Sequence, residues 1–362
     1  FIVSMFCNLV SRASATSFIA LKQRNVHILE EALANVSNPE SSQYGNYWTQ
    51  EEIDAVIVPD RIEDLHFELE WCGMNCEQKS AAFVCDHFND ECLYDENNLI
   101  EFIEIMYPHE QVPYSLVGDN TGFVAREVMI KLYNVTWPTV QHGASVCAVE
   151  YQNAGGFQQS DLAQQQSLNG QQANPVIHSV GINHGIMLET QLDIQMMSQV
   201  ADGADVWYWG GQQWLYSFAV NFLNASKIPD VLSMSWGWSS RQQCAIGTCT
   251  GNMTASKYIR RVNVEYLKMG LRGVTVTVSS GDAGAPGRTN EGCLWEQPNA
   301  RAVNPAFPGS SPYITSVGAT YIVPGNGTTS WTSQLCRQYG CVEGEEEKYS
   351  LVLLVDPKVT KN

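Results

Sequence analysis

Read by the spacing of its apolar positions, the chain opens with a small mixed module. "SFIAL" is a short unbroken apolar run of strand length, and in "LKQRNVHILEEALANV" Val26, Leu29, Leu33 and Val36 recur at steps of three and four, which puts them on one helical face. "SNPESSQYGNYW" has turn composition, and Thr49-Gln-Glu-Glu52 has the form of a capping box opening the next helix. These elements predict an α+β module. From about residue 60 to about 120 the chain is acidic, cysteine-rich and weakly periodic, and it ends in "YSLVGDNTG", which reads as a linker.

The texture changes from about residue 123. "SVCAVEY" (145–151), "VIHSVG" (176–181), "ADVWYWG" (204–210), "DVLSMSWG" (230–237), "VTVTVSSG" (274–281) and "YITSVGAT" (313–320) are short apolar runs, and helical patterns at 188–202, 213–225 and 256–270 fall between several of them. Short buried strands alternating with helices predict an α/β fold, a parallel sheet with helices on both faces. Ligands and catalytic groups in such sheets gather at the carboxyl ends of the strands, where "SWGW" and "SSGDAG" fall. The one biased tract is glutamine-rich, near 152–172.

Composition narrows the partners. With 362 residues, 44% of them hydrophobic, the chain has room for two domains. A formal net charge of -18 repels phosphate backbones and anionic lipids, so neither nucleic acid nor a membrane surface is expected as a partner. No stretch approaches the length of apolar sequence needed to span a bilayer. Eleven cysteines, with close neighbours at Cys72 and Cys76, Cys85 and Cys92, Cys244 and Cys249, and Cys336 and Cys341, read mostly as disulfides of open pairing. The alternative is a zinc site within Cys72, Cys76, Cys85, His87 and Cys92. The odd count leaves one thiol over, expected to be Cys7 in a segment "FIVSMFCNLV" that resembles the end of a signal sequence. Sequons at Asn35, Asn134, Asn224, Asn252 and Asn326 agree with a secretory route and a lysosomal or extracellular destination.

Glu189 and Asp193 stand four apart on the predicted helix "LETQLDIQMMSQVAD", so both carboxylates project from one face. Two acids held that close do not ionise independently, which is how a pair divides into base and orienting partner. Leu188, Leu192, Met196 and Met197 are expected to make their surroundings apolar. A Ser-His-Asp arrangement has His142, His178 and His184 to draw on, none of them obviously placed to serve the turn after "VTVTV".

"LETQLDIQ", "DVLSMSWGW", "YIRRVNVEYLKMGLRGVTVTVSSGDAGAPG" and "NPAFPGSSPYITSVGAT" resemble, in order and spacing, the sedolisins, the serine-carboxyl peptidases. "ALKQRNVHILEEALANVSNPESSQYGNYWTQEEI" is similar to the activation prodomain of that family. The resemblance implies a subtilisin-like catalytic domain at residues 121–345, preceded by a ferredoxin-like prodomain and linker at 1–120 and followed by an aberrant or truncated tail at 346–362. It also implies acid proteolysis, with peptides or unfolded proteins and the chain's own prodomain as partners. By that resemblance Glu189 matches the general base and Asp193 its orienting partner; a carboxylate base works at acid pH, where an imidazole is protonated.

Two departures stand at the chemistry itself. Ser280-Gly281-Asp282-Ala283-Gly284 matches the family's serine turn except at Ala283, which carries a methyl group where the nucleophilic hydroxyl is expected. The oxyanion acid is missing as well, because no carboxylate lies between Asp230 and Glu265. The tail "EEEKYSLVLLVDPKVTKN" has none of the glycine-rich segment that holds calcium in the family, so no cofactor is expected and the family calcium site is expected to be missing. The sequence therefore predicts a catalytically degenerate homologue, against a working acid peptidase with another nucleophile or a peptide-binding regulator that does not cleave.

Overall fold

Strand β1 (Thr16–Leu21) is apolar from Phe18 onward because both of its faces are covered: Phe18, Ile19, Ala20 and Leu21 are all but inaccessible. The computed structural model describes residues 16–89, 92–95, 97–106, 126, 129, 133, 143–151, 156–183, 185–212, 214–250, 253–281, 305–318, 320–322 and 329–331. It divides into two compact units, and neither is continuous in sequence.

The first unit joins residues 1–110 to 212–228 and 241–274. Helix α1 (Val26–Ser37) begins at the first residue of the periodic set, because Asn25 is left-handed, with φ 53°, and turns the chain out of β1. Helix α2 (Gln50–Ile57) opens on the predicted capping box, Glu52 N donating to Thr49 Oγ1 at 3.2 Å and Thr49 N to Glu52 Oε2 at 2.7 Å. The weakly periodic stretch holds helix α3 (Ile62–Trp71) and strands β2 (Cys76–Gln78), β3 (Ala82–Cys85) and β4 (Ile100–Met106). With β1 they form an antiparallel sheet in the order β2-β3-β1-β4. Disulfides Cys72–Cys92 and Cys76–Cys85 tie it, which removes the zinc alternative and pairs the cysteines across, not between nearest neighbours.

The second unit joins residues 111–211, 229–240 and 275–362. Strands β5 (Ser145–Tyr151), β6 (Val176–Val180), β7 (Asp205–Gln212), β8 (Val231–Met234), β10 (Thr275–Ser279) and β12 (Thr315–Val317) form a six-stranded sheet flanked by helices, in the order β12-β10-β8-β5-β7-β6. Pairs β6–β7, β5–β8, β8–β10 and β10–β12 run parallel. A short antiparallel pair, β9 (Trp238–Ser239) with β11 (Ala306–Phe307), follows β8. The glutamine-rich tract is helix α4 (Gln159–Leu168), and α5 (Leu188–Val200) packs on it and on β5. Ala148, Leu162, Val176, Ile194, Val206 and Tyr208 form their common core. Leu162, Val176, Ile194 and Val206 each contribute about 1.5–3 kcal/mol by leaving water. Helices α6 (Leu215–Leu223), α7 (Gln243–Ile246) and α8 (Ala255–Leu271) fall between sheet strands in sequence but pack within the first unit. No helix among the described residues is long and apolar enough to cross a membrane.

Candidate active site

Parallel pairing brings the carboxyl ends of β5, β8 and β10 to one edge of the sheet. Glu150 lies at the end of β5, Ser235 and Trp236 follow β8, and Ser280 and Gly281 follow β10. Ser280 N donates to Val317 O at 2.9 Å, extending the sheet by one residue. Gly281 then leaves at φ 94°, a left-handed turn that glycine takes without strain, and a Cβ there would stand 3.3 Å from the Ala306 methyl.

Glu189 and Asp193 both lie on α5, as their spacing implies, and both are half-buried. The buried face of the helix is not the apolar one expected. Leu188 and Leu192 are exposed, at 65% and 48%, and the helix instead buries Thr190, Gln191, Ile194, Ser198 and Gln199. That polar face meets polar partners: Gln166 Nε2 donates to Ser198 Oγ at 2.7 Å, Gln165 Nε2 to Gln199 Oε1 at 2.7 Å, and the amide of Gln158 to Gln191 Oε1 at 2.9 Å. Buried amides paired in this way fix the axial position of α5 with directional bonds.

A third carboxylate joins the pair, and the sequence reading missed it. Glu150 is fully buried; its Oε2 accepts from Trp236 Nε1 at 2.6 Å, and its Oε1 is buried with no hydrogen bond among the described residues. Burial first, then the charge of Asp193 and, less, that of Glu189 push its carboxyl up to about 8, with the Trp236 hydrogen bond opposing them more strongly than Glu189 adds and Thr190 opposing least. Asp193 is raised to about 6, by burial first and also by the charge of Glu189, while the Ser235 side chain favours its ionised form. Asp193 Oδ2 is likewise buried without a hydrogen-bond partner among the described residues. The signal in the sequence was a lone acid inside an apolar strand, "SVCAVEY". Near neutral pH this cluster holds a proton on Glu150 and titrates at Asp193, so it can store and pass protons in mildly acid solution.

His178 is placed away from this chemistry, its ring stacked 4.0 Å from that of Trp207 on the edge strand pair β6–β7. Asp282, Ala283 and Gly284, His142 and His184, Cys7, Cys336 and Cys341, the sequons at Asn134, Asn252 and Asn326, the linker and the tail all lie outside the described residues. Cys147, on β5, is a free buried thiol.

Known proteins extend the picture. The activation domain of pro-kumamolisin matches residues 8–63. Physarolisin of Physarum polycephalum is 29% identical over 91% of this chain and 64% of its own length. Human tripeptidyl-peptidase 1 is 28% identical over 83% of this chain and 60% of its own. The chain thus spans about three fifths of the length of these relatives. Among solved structures, Pseudomonas sedolisin, a serine-carboxyl proteinase complexed with pseudo-iodotyrostatin, aligns at TM-score 0.44 with 22% identity over 57% of each chain. By its sequence the chain is a homologue of physarolisin and tripeptidyl-peptidase 1, and its residues 8–63 match the pro-kumamolisin activation domain.

Proposed function

We propose that this protein is a peptidase homologue that retains the acidic part of a serine-carboxyl catalytic site and has lost its nucleophile. The supporting observation is the carboxylate cluster of Glu150, Glu189 and Asp193 at the carboxyl edge of the sheet, with Asp193 raised to about 6. Glu189 takes the part of the general base and Asp193 that of its orienting partner, with Glu150 behind them as proton store. Ala283, two residues beyond Gly281, has no atom that can attack a carbonyl. The name of the relative tripeptidyl-peptidase 1 points to peptides as ligands. Three disulfides among the described residues agree with a lysosomal or extracellular setting.

Losing a nucleophile costs on the order of 10⁶ in turnover. Ala283→Ser tests the reading. At pH 4–5 the variant should hydrolyse unstructured peptides on the order of 10²-fold faster than the parent chain, held short of full activity by the missing oxyanion acid. Adding Glu189→Gln should abolish that gain. Equal rates in parent and A283S would sink the proposal. A second reading, peptide binding without cleavage, draws on Leu188 and Leu192, which stand exposed beside the two acids on α5. It expects the parent chain to retain peptides saturably and intact.

A further inference from the structure

The outer edge of the N-terminal sheet is not open. Beyond β4 the segment Thr248–Thr250 lies antiparallel to it: Glu104 and Cys249 form a bridge pair, Thr250 N donates to Ile103 O at 3.0 Å, and Thr248 Oγ1 donates to Ile105 O at 2.5 Å. The segment belongs to a small loop closed by the Cys244–Cys249 disulfide at the end of α7. Inside that ring Thr248 is left-handed at φ 49°, a conformation a β-branched residue adopts only under constraint. The loop is also seated closely, since a Cβ at Gly247 would meet the Tyr258 ring at 3.1 Å. The covalent ring therefore holds a strained backbone in the posture that covers β4.

The three disulfides of the described residues differ in access. Cys72 and Cys85 are buried, at 7% and 1% exposure, so each of their bridges has one inaccessible end, whereas Cys244 and Cys249 are both half-exposed. We propose that the Cys244–Cys249 bridge is a reducible clip on the edge of the N-terminal sheet, closed when Thr248–Thr250 lies on β4 and opened by a dithiol. One thiolate of the dithiol attacks a bridge sulfur to form a mixed disulfide, and its second thiolate displaces the remaining cysteine. The dithiol leaves as its own disulfide, and Cys244 and Cys249 keep two electrons and two protons as thiols. With the ring open, Thr248 relaxes out of the left-handed region and the edge of β4 is released, while the inner strands keep their pairing.

The test uses the full chain treated with limiting dithiothreitol, differential alkylation to find which cysteines are reduced, and amide hydrogen exchange. Cys244 and Cys249 should be alkylated before the other four paired cysteines. Exchange at the Thr250 amide should then rise at least about tenfold, with the amides of β1 unchanged. The variant C244S/C249S should reproduce the fast Thr250 exchange without reductant, and the β1 amides report that it has folded. Reduction only together with Cys72–Cys92 and Cys76–Cys85, or a Thr250 amide still protected once both cysteines are alkylated, overturns the proposal.

Discussion

Glu104 and Glu150 occupy equivalent-looking places: each is an acid near the end of a strand, and each is completely buried. Their surroundings differ. Both oxygens of Glu104 accept hydrogen bonds, Oε1 from Ser217 N at 3.2 Å and Oε2 from the Tyr258 hydroxyl at 2.9 Å. Burial lifts it to about 7, and these donors all act to lower it. In the same unit Arg261 gathers Glu101 at 2.5 Å and Glu265 at 2.8 Å, Lys268 pairs with Glu265, and the guanidinium donates to the carbonyls of Leu21 and Ala81. Glu150 instead faces two further carboxylates and keeps one oxygen unbonded among the described residues. Completed polar networks hold a fold together, whereas acids pressed against acids lose stability and retain chemistry.

The largest effect is expected where the pairing is most complete. Arg261→Met leaves Glu101 without its cation, Glu265 with Lys268 alone and two carbonyls without a donor, so unfolding in urea at pH 7 should show a loss of about 3–5 kcal/mol. Burial by itself pushes Glu265 up, but Lys268 and Arg261 more than offset it and hold its carboxyl below the usual range. That contribution is present above the unfolded value and fades as pH falls through the folded one. A loss of under about 1 kcal/mol in R261M would show that the network is replaceable packing and break the contrast.

The next effect has the opposite pH sense. Glu150 is raised from 4.5 to about 8, so the folded chain holds a proton that the unfolded chain releases. Its contribution is full below about 4.5 and is lost as pH rises through 8. Glu150→Gln keeps an acceptor for Trp236 and removes the titration. Stability of the variant relative to the parent should therefore improve between pH 5 and pH 9 by on the order of 2–4 kcal/mol, measured by denaturant unfolding across that range. Glu104→Gln should show the same sign within a narrower window, ending near 7, and a smaller gain, because the amide nitrogen replaces one of two acceptors in use. Equal gains at both positions would mean that neighbouring carboxylates add nothing to burial.

The sequence disclosed what periodicity and motif chemistry encode. The strand at Ser145–Tyr151, the helix carrying Glu189 and Asp193, and the capping box at Thr49 all stand where their patterns put them. It concealed what depends on burying polar groups. Helix α4 buries Gln166, and Gln159 exchanges bonds with both backbone groups of Val176, so the helix shows no apolar stripe. Strands β2 and β3 are short, and disulfides supply part of the constraint that apolar alternation gives elsewhere. Leu188 and Leu192 misled for the same reason, since the inward face of α5 was the glutamine and serine face. Glu150 was visible as a letter, but its role needed the parallel register that brings β5 and β8 side by side.

The smallest effect isolates one bond of that cluster. Trp236 Nε1 donates to Glu150 Oε2 at 2.6 Å, and this bond acts to lower the Glu150 carboxyl against burial. Trp236→Phe removes the donor while keeping most of the ring, whose edge meets Tyr151 with centroids 6.4 Å apart. Glu150 should then titrate above 8, and at pH 9 the variant should lose about 1–2 kcal/mol relative to the parent. At pH 5 the carboxyl is already neutral, the bond is weaker, and the loss should fall below about 1 kcal/mol. In the background of E150Q the pH dependence of the tryptophan substitution should vanish, because no charge remains for the indole to stabilise. A pH-dependent cost that survives in E150Q would assign the tryptophan to packing against Tyr151 and leave the carboxylates to set their protons without it.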